Sequence, residues 1–196
     1  MNRREALLQL VGAAGSSLTC PWIDAALAGA PMHEAPAQSQ LTAAQRAMVT
    51  ELAELVIPRT DTPGAIDAGV PQFIDHIVSD WYTQGERAIF LAGLSELEVY
   101  SQKQYGRGFI ECSHAERNAA LERAEVQAGS YRPTPGVGIL ASLDEHSPFF
   151  FKLKQLTVVG YYTSQVGATE ELAYNPVPGR FDGDYDFAEI GRQWSS

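Results

Sequence analysis

The chain has 196 residues and a mass of 21.3 kDa, 45% hydrophobic and only 19% charged. That bounds it to one domain with a sizeable core and excludes wholesale disorder. Fourteen Lys and Arg against 24 Asp and Glu give a net charge of -10 and a pI near 4.8, which argues against a protein that tracks nucleic-acid phosphates or adheres to anionic lipid.

The N-terminus reads as an address. Arg3 and Arg4 precede a modest apolar run, Leu7 to Leu18, diluted by Gly12, Gly15, Ser16 and Ser17. Ala26-Leu27-Ala28 then gives a small-x-small cleavage site. Residues 1–28 are expected to be a twin-arginine export signal, with Arg3 and Arg4 as its export residues. The competing reading is an uncleaved membrane helix over the uncharged stretch 6–23, which the glycines and serines disfavour. Leucine stands one position too close to Cys20 for a good lipoprotein box. Cleavage after Ala28 removes two charges of each sign, so the net charge stays at -10 and Cys112 is the one thiol left. A twin-arginine route carries folded chains, often loaded with a cofactor. No GxGxxG or GxxxxGK[ST] loop is present, so the cofactor is expected on a partner that travels with this chain.

Residues 29–40, rich in Ala, Pro, Gln and Ser, read as a linker. Thr42 and Gln45 form a capping box before Met48, Val49, Leu52, Leu55 and Val56 at helical spacing, and Pro58 stops the run. Residues 60–64 are a turn. Pro71 opens a second helix with Phe73, Ile74, Ile77, Val78 and Trp81 as its apolar face. A third is predicted from Glu86 to Tyr105, with Phe90, Leu94, Leu97 and Tyr100 or Ser101 on one side and Gly106 as its stop. Ser113 and Glu116 cap a fourth, polar helix. Residues 129–138 are a loop. Ser147-Pro148 starts the most apolar helix, crowded almost all round from Phe149 to Tyr162, which implies burial in its own core or against another chain. From Gly167 helix breakers accumulate, and Asn175-Pro176-Val177-Pro178-Gly179 is extended or turned. The expected fold is all-α: a small helical bundle over 41–166 with a long irregular Pro/Tyr-rich arm over 167–196. Whether the arm covers a partner or its own bundle, the residues alone leave open.

Few constellations suggest chemistry. His114-Ala115-Glu116 matches half of a zinc-deaminase signature without its Pro-Cys-x-x-Cys, and reads better as a helix start. Asp75-His76 is a candidate base pair with no nucleophile in a recognisable setting. Asp182, Asp184 and Asp186 alternate as in a calcium loop but lack its glycine and closing glutamate. Asp144-Glu145-His146 directly precedes a helix, where acids favour the dipole.

The run Gly160-Tyr161-Tyr162-Thr163-Ser164-Gln165-Val166-Gly167-Ala168-Thr169, followed by Tyr174-Asn175-Pro176-Val177-Pro178-Gly179-Arg180-Phe181-Asp182-Gly183, resembles the gluconate 2-dehydrogenase subunit 3 family. So do Leu41-Thr42-x-x-Gln45-Arg46, Ile57-Pro58, Thr62-Pro63-Gly64-Ala65, Gly69-Val70-Pro71-x-Phe73-Ile74-Asp75 and the paired arginines. The resemblance implies a non-catalytic small subunit of a periplasmic FAD-dependent sugar dehydrogenase. FAD and the catalytic base then sit in a large subunit similar to glucose–methanol–choline (GMC) oxidoreductases, and a cytochrome c often accepts the electrons. The small subunit supplies the export signal and stabilises its partner. No catalytic, cofactor or metal residue maps onto this chain. The implied partner interface is Tyr161, Tyr162, Thr163, Gly167, Ala168, Tyr174, Asn175, Pro176, Pro178, Gly179, Phe181 and Asp182. Some members carry a cysteine where this chain has Asp184, so a disulfide to the large subunit is not expected from that position. The ending Tyr185 to Trp194 is closer to small subunits of glycoside 3-dehydrogenases. The alternatives are a stand-alone periplasmic helical enzyme using His76 or His114, and a small-ligand-binding module lined by the aromatic helix.

Overall fold

Side chains and glycines placed at the helix ends explain most of the boundaries. The computed structural model describes residues 39–129, 131, 146–174, 179, 184 and 186–195; the expected signal, nearly all of the expected linker and most of the expected 129–138 loop lie outside them. Helix α1 (Ala43–Val56) starts where Thr42 Oγ1 accepts from the Gln45 N–H at 3.2 Å and Gln45 Oε1 accepts from the Thr42 N–H at 2.9 Å. Helix α2 (Val70–His76) leaves Gly69, which has φ 73°, with Pro71 in its first turn, and runs straight into a π-helical turn, Ile77–Trp81. Helix α3 (Gln84–Tyr105) starts two residues ahead of the predicted Glu86, behind a Thr83–Glu86 capping box, and ends at Gly106, φ 70°. A 3₁₀ turn, Phe109–Glu111, leads to α4 (His114–Ala128), capped by Ser113 and Glu116 as expected. The aromatic helix is α5 (Phe149–Tyr162). A second π-helical turn (Gly167–Glu171), β1 (Ala173–Tyr174), the short α6 (Phe187–Ile190) and β2 (Trp194–Ser195) follow. The fold is all-α. Its described strand pairing is confined to two residues on each side, parallel, with Ala173 opposite Trp194.

The sequence places Trp81 on the apolar face of the second helix, and the structure corrects this. The Tyr82 N–H reaches the Ile77 carbonyl at 3.0 Å, an i to i+5 bond that widens the last turn. Tyr82 then lies in the core while Trp81 is 72% exposed. The loosened carbonyls are collected by one guanidinium: Arg87 Nε donates to Val78 O at 2.8 Å, and its Nη2 donates to Ser79 O at 2.7 Å and Tyr82 O at 3.2 Å.

Helix α5 is the centre of the bundle and packs against α1, α2, α3 and α4. Phe149, Phe150, Leu153, Leu156, Thr157 and Tyr161 are buried, while Val158 and Tyr162, one turn apart, remain exposed. Each fully buried apolar side chain contributes about 1.5–3 kcal/mol by transfer from water. Two glycines set how closely the neighbours approach. Gly160 lies under the Phe73 ring, where a Cβ would come within 2.6 Å of Cδ1; Gly93 of α3 lies under Phe149, whose ring a Cβ would penetrate. The Phe149 ring in turn meets Phe90 edge-on at 5.3 Å.

Among the described residues two charged side chains are buried, Lys152 and Glu86. Lys152 of α5 is 2% exposed, with Nζ 3.6 Å from Glu86 Oε1 and 5.1 Å from the centre of the Tyr82 ring. Glu86 Oε2 also accepts from the Thr83 N–H at 2.9 Å, so one carboxylate caps α3 and neutralises a lysine of α5. Burial, and secondarily the Glu86 charge, pushes the Tyr82 phenol well up, which keeps it neutral. An Arg117–Glu51 ion pair joins α4 to α1.

Two outcomes follow. Helix propensity alone would have Gly93→Ala gain about 1 kcal/mol. The Phe149 contact reverses the sign, and thermal unfolding should show a loss of about 1–3 kcal/mol. Lys152→Met should cost about 3 kcal/mol or more, because it leaves the Glu86 carboxylate buried without its cation; denaturant titration of the isolated chain measures it.

Candidate functional site

The end of α5 is tied down by hydrogen bonds before the arm begins. Tyr161 is 1% exposed, and its hydroxyl donates to the Pro63 carbonyl in the α1–α2 loop at 2.7 Å. Burial pushes its phenol up, so it stays a donor. Ser164 Oγ donates to the Tyr161 carbonyl at 2.6 Å and accepts from the Gly167 N–H at 2.9 Å. Gly167 sits directly against the Tyr161 carbonyl, leaving no room for a side chain. The Leu172 N–H closes the π-helical turn on Gly167 O at 3.1 Å.

The arm leaves this base and comes back to it. Glu171 Oε2 accepts from Thr62 Oγ1 at 2.6 Å, Ala173 N–H donates to Gln193 O at 2.8 Å, and Arg192 Nη1 donates to Glu170 O at 2.5 Å. Both ends of the arm are therefore held beside the C-terminus of α5 and the α1–α2 loop. Glu171, at the base of the arm, is thus bonded to the chain's own α1–α2 loop.

This sorts the expected interface residues. Tyr161 and Gly167 are interior positions of this chain, their space filled by Pro63 and by the turn itself. Tyr162 is 41% exposed and stacks edge-on against Tyr161 at 5.3 Å. Thr163 is exposed and Ala168 half-buried. The Tyr174 backbone pairs with Ser195, and Gly179 is exposed with φ 75°. Asn175, Pro176, Pro178, Phe181 and Asp182 lie outside the described residues, as do Arg3 and Arg4. Exposed Trp81 and Trp194 join Val158 and Tyr162 as large apolar groups open to a partner. The reading by 3.6-residue periodicity missed Trp81, since nothing in that pattern marks a π turn.

Among the described residues the candidate chemical groups do not converge. His76 Nδ1 is 2.7 Å from Asp80 Oδ2 and largely exposed, while Asp75 accepts instead from Ser39 Oγ at 2.6 Å and Ser79 Oγ at 3.3 Å. His114 is an exposed first residue of α4. Asp186 accepts from the Ala188 N–H at 2.9 Å at the start of α6. Asp144, Glu145 and Asp182 lie outside the described residues. Among the described residues no three His, Cys, Asp or Glu side chains are placed to hold a metal ion, and no helix is long and apolar enough to cross a membrane. Cys112 is a buried free thiol.

The family model described as gluconate 2-dehydrogenase subunit 3 matches residues 43–179, from the first residue of α1 into the arm. No curated protein and no solved structure matches.

Tyr161 and Tyr162 are expected to behave differently in the isolated chain. Tyr161→Phe should lose about 1 kcal/mol with the Pro63 hydrogen bond, and Tyr161→Ala about 3–5 kcal/mol. Tyr162→Ala should stay within about 1 kcal/mol of the parent. Thermal melts of the three variants decide it.

Proposed function

The chain belongs to the gluconate 2-dehydrogenase subunit 3 family, and on that premise we propose that it is the non-catalytic small subunit of a periplasmic, FAD-dependent sugar or glycoside dehydrogenase complex. The family match through α1 to α5 and into the arm carries this reading. In it, a large GMC-type flavoprotein holds FAD and oxidises the sugar, and a cytochrome c takes the electrons. The small subunit brings the twin-arginine signal of Arg3 and Arg4 and covers part of the flavoprotein with Tyr162, Thr163 and the 174–183 arm.

The use made of the signature segment supports a scaffolding role. Tyr161, Ser164 and Gly167 spend their polar groups and their space on one another and on Pro63, fixing where the arm leaves the bundle. A segment so used presents its neighbours to a partner rather than reacting itself. The ending Tyr185 to Trp194 favours a glycoside 3-dehydrogenase partner within this reading.

Affinity purification of the tagged chain from its native periplasm should bring down a larger companion with yellow flavin absorption, and that band should bleach with the right sugar. A single colourless, well-folded species would overturn the proposal. Replacing Arg3 and Arg4 together by lysine should strand both subunits in the cytoplasm; export of the flavoprotein by that double variant would show it has a signal of its own.

A further inference from the structure

A groove of about 520 Å³ runs between the first turns of α1, the middle of α3 and the 3₁₀ turn before α4, away from the arm residues named above. Buried Met48 and Leu94 line it, and Val99 (65% exposed) and Ile110 (43% exposed) offer open aliphatic surface within it. On α3 the groove is lined by Leu94, Ser95, Glu98, Val99 and Gln102, which share one face at helical spacing.

The two ionisable groups lining the groove are both carboxylates, Glu98 and Glu111. Each is held in place by backbone. Glu98 Oε2 accepts from the Phe109 N–H at 2.9 Å and its Oε1 from Gln102 Nε2 at 3.4 Å; Glu111 Oε2 accepts from the Gly108 N–H at 3.3 Å. Gly108 makes room for this, since a Cβ there would lie 2.9 Å from Glu98 Oε1. Among the described residues no Lys or Arg forms an ion pair with either carboxylate. Any body that covers the aliphatic strip must strip water from these two fixed anions, which is unfavourable unless it brings a cation. A second copy of the chain would bring an acidic surface of net charge -10 against them, and like charges in contact oppose such pairing.

We propose that this groove seats a segment of another subunit of the dehydrogenase complex, an aliphatic side chain flanked by arginine or lysine. The aliphatic group lies on Val99 and Ile110, and the cation completes Glu98 and Glu111. The proposal rests on the reading of the chain as a complex subunit and names a docking surface distinct from the arm.

The test is the affinity of the full chain for its co-purified partner subunit, with opposite charges placed at one exposed position. Gln102→Lys supplies Glu98 with a cation from its own helix and should weaken the complex at least tenfold. Gln102→Glu should hold or tighten it, and added salt should weaken the parent complex. Val99→Ala should weaken it several-fold. Unchanged melting temperatures of the free variants keep folding out of the comparison. Equal effects of Gln102→Lys and Gln102→Glu, or no effect of either, would overturn the groove assignment while leaving the subunit reading intact. So would self-association of the free chain that is lost in Val99→Ala while the complex persists. If the parent chain brings down no dehydrogenase subunit, the functional reading fails first and the groove's occupant with it.

Discussion

A helix that is apolar around most of its circumference must be covered on most of its sides, and the bundle is arranged to do this for α5. Four helices contact it, and where two of them come closest the opposing residue is a glycine: Gly160 of α5 beneath Phe73, and Gly93 of α3 beneath Phe149. These missing side chains let aromatic rings fill space that a Cβ would occupy, which is how a small chain reaches close packing with few residues. The Lys152–Glu86 pair belongs to the same constraint. A lysine on a buried helix needs a partner, and the partner is the residue that caps α3. The start of one helix and the middle of another are thus held by a single carboxylate.

The covering is incomplete at the C-terminal end of α5, where Val158 and Tyr162 remain exposed. Tyr161 turns inward to Pro63, Tyr162 turns outward, and Ser164 and Gly167 bend the chain into the arm. The described segments on either side of the arm's middle are bonded to each other here, Ala173 to Gln193 and Glu170 to Arg192.

The surface has a consistent character away from this end. Exposed apolar groups stand at Trp81, Val99 and Val126, and the chain as a whole is acidic. Trp81 is held outward by a turn whose carbonyls Arg87 binds.

The sequence by itself determined the all-α class, the capped starts of α1 and α4, the glycine stop of α3 and the family, because caps, stops and periodicity are local and each is settled within a few residues. It did not show the π-helical turn at 77–81, because one inserted residue leaves the hydrophobic pattern almost unchanged while sending Trp81 out and Tyr82 in. Nor did it separate Tyr161 from Tyr162: two adjacent tyrosines look alike until Pro63, nearly a hundred residues earlier, is brought beside one of them. The buried Lys152–Glu86 pair and the acidic groove between α1 and α3 are likewise products of tertiary structure. They depend on which faces of distant helices meet, and that is decided by how the chain as a whole covers α5.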